Sequence, residues 1–382
     1  ERVSSSVWRI RVRRMPLTGL IPVAVVAALS LLTNPAAADW ENPADRYADA
    51  YRQFLDASCP LADGDVRHFM YVARDRGRLR GHAMLDEPRI AGAQVMYLWS
   101  ALEPARDQYD FSAIEADLEF LQAHGKALFV QLQDATFFNL YQPAPAYLLS
   151  GEFDGGAVPQ YNDDGDPEGW TVKRWNPAVQ ERFGKLLDAL GRQFDGRIEG
   201  INLQESAIGV TAEQDPTFSP PAYAQALRHR MRALKSAFPR SVTMQYANFM
   251  PGEWLPWEDE GYLRGLYRYG DEIGVGLGGP DLMVRRRGQL NHTIAMMHEH
   301  DYSVPLGIAV QDGNYIGQTG ADGAIADEIR RERRNLVPML YEFARDFLRV
   351  DYLFWVDQAP YFEEDVLPCL RPPAASSPTT GH

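Results

Sequence analysis

Eight short apolar runs, each closing on polar residues and separated from the next by a longer segment, set the strongest constraint on how this chain can fold. They read as strands at His68 to Ala73, Ala93 to Trp99, Ala127 to Gln133, Ile198 to Gln204, Val242 to Ala247, Ile273 to Leu277, Val304 to Val310 and Tyr352 to Val356. Amphipathic helical patterns fall between them, at Ile114 to His124, Ala178 to Phe194, Pro221 to Phe238, Gly288 to His300 and Ile325 to Leu348. Strands apolar on both faces belong to parallel sheets covered by helices. Eight such alternations over about 300 residues predict an α/β fold, a single (β/α)8 TIM barrel, rather than an open doubly wound sheet. A dinucleotide-binding sheet would carry its glycine fingerprint into a helix, whereas Gly276-Leu-Gly-Gly279 runs into Pro280. The connection from Phe137 to Trp175, rich in Gly, Asp, Pro and Tyr, is too long for a turn and is expected as a loop over the barrel mouth.

The two ends fall outside that domain. Arg9, Arg11, Arg13 and Arg14 precede an apolar run from Leu20 to Leu32 that is short for a bilayer span, and Ala36-Ala37-Ala38 follows. This is the pattern of an export signal. Residues 1–38 are expected to be removed, with Met15 a candidate start. That leaves a barrel over 39–371 in the periplasm or outside the cell, no longer held at the membrane. Residues 372–382, mostly Pro, Ala, Ser and Thr, are expected to be disordered.

Composition limits the partners. A chain of 382 residues that is 45% hydrophobic can bury a large core, and its formal net charge of -14 argues against nucleic acid or an anionic membrane. The run Arg330 to Arg334 reads as a solvated helix face. Arg285-Arg286-Arg287 follows a strand, and either is solvated or meets an anionic group. Cys59 and Cys369 are too few for a cysteine metal site. One precedes the first strand and the other follows the last, and those strands are neighbours in a closed barrel, so a disulfide staple and two buried thiols both stay open.

Barrel enzymes keep their chemistry at the C-terminal tips of the strands. Here the tips carry Arg74 and Asp75; Trp99 and Glu103; Gln131, Gln133 and Asp134; Asn202, Gln204 and Glu205; Gln245 and Asn248; Asp281; Gln311 and Asp312; and Trp355, Asp357 and Gln358. Amides and acids hydrogen-bond hydroxyl groups, and flat aromatics stack on the apolar faces of sugar rings. The partner this predicts is an oligo- or polysaccharide, bound by Trp99, Glu103, Gln133, Asn202, Gln204, Gln245, Asn248, Gln311, Trp355 and Asp357. Trp170, Trp175, Trp254 and Trp257 could extend the platform from the connecting loops. Histidine is missing from every tip, and His298-Glu299-His300 sits at a helix end on the far side, so neither a metal nor another cofactor is expected. The chain has neither a Gly-x-Ser-x-Gly elbow nor a P-loop.

Val95-Met-Tyr-Leu-Trp99-Ser-Ala-Leu-Glu103-Pro104, followed by Gln108-Tyr109-Asp110-Phe111, resembles the second-strand signature of the large clan of (β/α)8 retaining glycoside hydrolases that includes cellulases, xylanases and β-galactosidases. Gln204-Glu205 is similar to the Asn-Glu pair that ends the clan's fourth strand, where Glu is the acid/base, and Tyr352-Leu-Phe-Trp355 looks like its eighth-strand tryptophan. In order and spacing the resemblance runs from about His68 to Leu370. It implies a glycoside hydrolase with Glu205 as general acid, retaining the configuration at the sugar carbon. Two departures stand out. Gln204 replaces the usual Asn, and the seventh strand, Gly307-Ile-Ala-Val-Gln311-Asp312-Gly313, lacks the nucleophilic Glu.

Period-two alternation puts Leu306, Ile308 and Val310 under the helices and Gly307, Ala309 and Gln311 toward the interior. The amide-then-acid endings Gln204-Glu205 and Gln311-Asp312 repeat, which nominates Asp312 as the partner of Glu205, with Asp357 in reserve. Glycosidic cleavage needs one protonated and one ionised carboxyl. Asp in place of Glu withdraws the second group by about 1.5 Å, the length of one C–C bond, toward the wider spacing of inverting enzymes. Two other classes fit the same residues: a catalytically inactive glycan-binding TIM barrel, with Gln311 the scar of a lost nucleophile, and a lyase or phosphodiesterase whose Arg285 to Arg287 hold an anionic group.

Overall fold

The apolar runs and the long connection form eleven strands: β1 (Arg67–Tyr71), β2 (Ile90–Leu98), β3 (Ala127–Gln133), β4 (Ala135–Thr136), β5 (Ala157–Tyr161), β6 (Pro167–Val172), β7 (Gly200–Leu203), β8 (Val242–Tyr246), β9 (Gly276–Gly279), β10 (Leu306–Val310) and β11 (Tyr352–Val356). They belong to a computed structural model that describes residues 41–162, 164–311, 314, 315, 333 and 335–371. Eight of these strands are parallel and close into a barrel in the order β1-β2-β3-β7-β8-β9-β10-β11, with β11 paired back to β1. This is the (β/α)8 barrel expected from the alternation of runs.

Helices occupy the connections, and their starts are written locally. Asn176 accepts the Ala178 and Val179 N–H groups, and Pro177 begins the helix Pro177–Phe194. That helix buries Val179, Phe183, Leu186, Leu190 and Phe194 at three- and four-residue spacing, which turns one stripe toward the sheet. Ser219 and Pro220 begin Pro220–Ala237 in the same way. Among the described residues no helix is long and apolar enough to cross a membrane.

The lower lumen is filled unevenly. Phe69, Phe129 and Phe354 meet across it with ring centroids 5.0 to 5.8 Å apart, and Tyr246 leans on Phe354. Each is fully buried, a contribution of roughly 2 to 3 kcal/mol per side chain. The opposite wall yields the space they need: a Cβ on Gly278 would fall 2.7 Å from the Tyr246 ring, and one on Gly307 would fall 2.7 Å from the Met244 methyl. Gly307 therefore faces inward, as the alternation along the seventh strand predicts.

That wall explains a displaced strand. Ile273 ends the helix Tyr262–Ile273, Gly274 caps it at φ 77°, and β9 starts at Gly276 instead of Ile273. Glycine reads as a breaker in a strand pattern. Here it is what a narrow wall requires.

The Phe137 to Trp175 connection lies at the C-terminal side, as expected, but it is a small antiparallel sheet, β4-β6-β5, rather than a bare loop. The Gly209 N–H donates to Gln160 Oε1 at 2.8 Å and the Tyr161 N–H donates to the Gly209 carbonyl at 3.3 Å, tying this sheet to the segment beyond β7. At the other end of the barrel Cys59 and Cys369 form a disulfide with Cα atoms 4.7 Å apart, so of the two outcomes left open the staple is the one found. The export signal (1–38) and the tail (372–382) lie outside the described residues.

Candidate active site

β7 stops at Leu203, and the chain beyond it is pinned by its backbone. Arg174 Nη1 donates to the Glu205 carbonyl at 2.7 Å, and the Tyr223 hydroxyl donates to the Ser206 carbonyl at 2.8 Å. Arg174 is itself buried and gripped twice by Asp134, at 2.8 and 3.0 Å, and Arg230 reaches the same carboxylate at 2.5 Å. Burial works against the Asp134 charge, but the two guanidiniums outweigh it and hold its pKa below the ordinary carboxylate value. The strand-end backbone thus rests on a buried ionic cluster of Asp134 just past β3, Arg174 in the turn before Pro177–Phe194, and Arg230 on Pro220–Ala237.

Glu205 leans into the mouth, partly buried, and Asn248 Nδ2 donates to its Oε2 at 2.6 Å. The Asn248 amide is oriented by the Ala207 N–H, which donates to its Oδ1 at 3.1 Å. Burial pushes the Glu205 pKa up to about 8; the negative charge of Asp281 adds to this, Glu168 contributes in the same sense, and Asn248 and Arg174 act against it. At neutral pH this side chain is a carboxylic acid. Glu168 lies on β6, so the small sheet brings its charge to the mouth.

Asp281 follows β9 and is also partly buried. Asn314 Nδ2 donates to its Oδ1 at 2.9 Å, and Asn314 Oδ1 accepts the Gln311 N–H at 2.8 Å. Burial raises the Asp281 pKa, with Asn314 and Arg286 opposing. Of the arginine run, Arg287 pairs with Asp45 at 2.7 Å and Arg285 lies 5.4 Å from the Tyr51 ring; Arg286 alone bears on Asp281.

Beneath these carboxyls the lumen is lined by amides. Gln94 Nε2 donates to Asn202 Oδ1 at 3.0 Å and to the Tyr246 hydroxyl at 2.9 Å. Gln133 Oε1 accepts Arg74 Nη1 at 3.0 Å, and Arg74 stacks 4.2 Å above the Tyr141 ring. The buried carboxamide oxygens of Gln94, Gln131 and Gln204 have no hydrogen-bond partner among the described residues. Each is an acceptor that a hydroxyl donor can meet.

Several residues expected to bind substrate are engaged elsewhere. Trp99 packs edge-on against Phe183 and donates Nε1–H to Glu103 at 2.8 Å, while Glu103 is ion-paired with Arg182; both are fully buried in the helix layer. Phe354 takes the inward position on β11, so Trp355 points outward, stacks on His68 and donates Nε1–H to its Nδ1 at 3.1 Å. Asp357 shares that outward parity and is held by Arg78 at 2.7 Å and His82 at 3.4 Å. Gln245 alternates with the inward Tyr246 and donates to the carbonyls of Gln204 and Tyr246, both at 2.8 Å. The structure brings Glu205, Asn248, Gln204, Gln133 and Gln311 to the mouth region, with Asn202 below them. Asp312 lies outside the described residues.

The electrostatic neighbour of Glu205 is a residue to which the sequence assigns no role. Asp281 is visible there as an acid past the sixth apolar run, but that run is read three residues early, ending at Leu277, and nothing in it ties Asp281 to Glu205.

No family model matches the chain, and none of the curated proteins matches it. Among solved structures it is similar to xylanase 10B from Thermotoga petrophila RKU-1 in complex with xylobiose, at 10% identity and a TM-score of 0.47 over 78% of this chain and 85% of that one. It is similar to GH5_18 from Streptomyces cattleya in complex with GlcNAc, at 14% identity and a TM-score of 0.49 over 79% and 73%. A third is endo-glycoceramidase II from Rhodococcus sp., at 13% identity and a TM-score of 0.42 over 78% and 75%. The likeness is one of fold.

Proposed function

We propose that this chain is a glycoside hydrolase that cleaves an oligo- or polysaccharide with Glu205 as its general acid. The observation that carries the reading is a carboxyl at the tip of β7 that keeps its proton up to a pKa of about 8 and is fixed by Asn248, above a lumen where Gln131 and Gln204 offer unmet acceptors. A neutral acid in that place protonates the glycosidic oxygen as its bond to the sugar carbon breaks. The acceptors suit sugar hydroxyls, which are donors. The motif resemblance around Gln204-Glu205 supports the same role.

The reaction also needs an ionised carboxylate near Glu205. The export pattern in residues 1–38 places the reaction outside the cytoplasm, with Asp39 near the mature N-terminus, which N-terminal sequencing of exported protein checks.

The test is a polysaccharide panel with the purified protein and its Glu205→Gln variant. Release of reducing ends by the parent, reduced by about 10²- to 10⁴-fold in the variant, supports the assignment. Glycan binding without any turnover by the parent points instead to the inactive glycan-binding barrel.

A further inference from the structure

We propose that Asp281, rather than Asp312, is the second carboxylate of this site: it takes a proton from the attacking water while Glu205 protonates the leaving oxygen, and the sugar carbon is inverted. The proposal rests on the glycosidase reading above and names the residue that completes it.

The placement comes from barrel order. β7, β8 and β9 are consecutive neighbours, Glu205 follows β7, and Asp281 follows β9. Two strand intervals set their backbones about 10 Å apart along the rim. Both side chains are partly buried at the mouth and the charge of Asp281 acts on Glu205, so the two carboxyls border a common space across that interval. Inverting pairs need about 6.5 to 9.5 Å, enough for a water beside the sugar, whereas retaining pairs need about 5 to 5.5 Å.

The two acids are held alike. Asn248, past β8, donates to Glu205 at 2.6 Å, and Asn314, past β10, donates to Asp281 at 2.9 Å. Each asparagine has its own oxygen occupied by a backbone N–H, from Ala207 in one case and Gln311 in the other, so neither amide can turn away. Only one oxygen of each carboxyl is engaged by these clamps. The buried Gln204 oxygen, unpartnered among the described residues, lies next to Glu205 in the chain as an acceptor for water or a sugar hydroxyl.

The charges sort the roles. Burial raises the pKa of both acids, but Glu205 is raised by the charge of Asp281 as well, while Asp281 is eased by Arg286 and Asn314. Among the described residues Glu168 and Arg174 also act on Glu205, with opposite signs. These directions favour the proton on Glu205 over Asp281, which is the division the reaction requires.

The atoms balance for simple hydrolysis. Water oxygen bonds to the anomeric carbon and gives one proton to the Asp281 carboxylate. The bond from that carbon to the bridging oxygen breaks, and the bridging oxygen leaves with the Glu205 proton. Solvent then returns a proton to Glu205 and removes one from Asp281.

The experiment follows the anomeric configuration of fresh product by proton NMR in the parent protein and measures kcat in Asp281→Asn, Asp312→Asn and Glu205→Gln, with circular dichroism to confirm folding. The expected result is an inverted product, a loss of at least 10²-fold in Asp281→Asn, and less than a threefold change in Asp312→Asn. A retained product, or an Asp281→Asn enzyme within threefold of the parent, overturns the assignment while the glycosidase reading stands. If Asp281→Asn does not fold, the product configuration in the parent still decides. A parent that hydrolyses nothing on the panel overturns the glycosidase reading and this assignment with it.

Discussion

Glu205 ties stability and activity to the same titration. Its pKa is raised in the fold from an ordinary 4.5 to about 8, so between those values the folded chain binds a proton that the unfolded chain has released. Stability from this group is complete below pH 4.5, declines as pH rises, and is lost above about 8. Glu205→Gln should therefore be more stable than the parent at pH 8, by on the order of 2 to 5 kcal/mol, and the difference should vanish near pH 4. Urea unfolding of both proteins at the two pH values checks it. Activity should fall along the same limb, with kcat/KM dropping above pH 8 as the acid ionises. Gln131 gives a second residue-scale expectation. Its oxygen has no partner among the described residues and can accept a sugar hydroxyl, so in Gln131→Leu KM should climb about tenfold, the equivalent of one hydrogen bond. Unchanged KM would remove Gln131 from the binding surface.

Among the elements, β7 is positioned from outside itself. The carbonyls just beyond it, of Glu205 and Ser206, hang on Arg174 and Tyr223, and Arg174 hangs on Asp134, so Asp134→Ala leaves two buried guanidiniums without their counter-charge. The expected loss is about 3 to 5 kcal/mol, read by thermal unfolding, together with lower kcat where the variant still folds. Much of this architecture was legible in the sequence. β3 and β11 carry apolar runs whose limits match the strands, and small Gly307 between large neighbours announced which side of β10 faces inward. β9 is displaced because three of its four residues are glycine, and hydrophobic pattern gives them no weight against the apolar Ile273 just before. Trp355 is assigned to the cleft as a strand-tip residue supported by family resemblance, and Asp357 by its place at the same tip and its shared parity, yet the Phe354 ring holds the inward place and fixes the parity of both. Trp99 and Glu103 miss the mouth for a related reason: Arg182, on a helix about eighty residues later in the chain, claims the acid, and local sequence carries no sign of that partner. Glu205 was legible because an aliphatic strand ending in a carboxyl needs an explanation wherever it occurs.

At the scale of the molecule, the barrel closes where the chain begins and ends. β1 pairs with β11 in register from Arg67 with Tyr352 to Tyr71 with Val356, and the Cys59–Cys369 bond ties the flanks of those two strands across 310 residues of sequence. A cross-link over so long a loop restricts the unfolded chain strongly, and Cys59→Ser/Cys369→Ser should lower stability by about 2 to 5 kcal/mol. Turnover at 25 °C should stay unchanged, since the bond is at the end of the barrel away from Glu205; unfolding with and without reductant, paired with an activity assay, checks both. The bond also changes what cutting the chain means. All eight barrel strands lie between the two cysteines, so the polypeptide from one to the other is a covalent ring. A protease that cuts once within it, for instance in the β4–β6 sheet over the mouth, opens the ring but releases no fragment. On a denaturing gel the nicked protein runs as one piece until a reductant is added, and then as two.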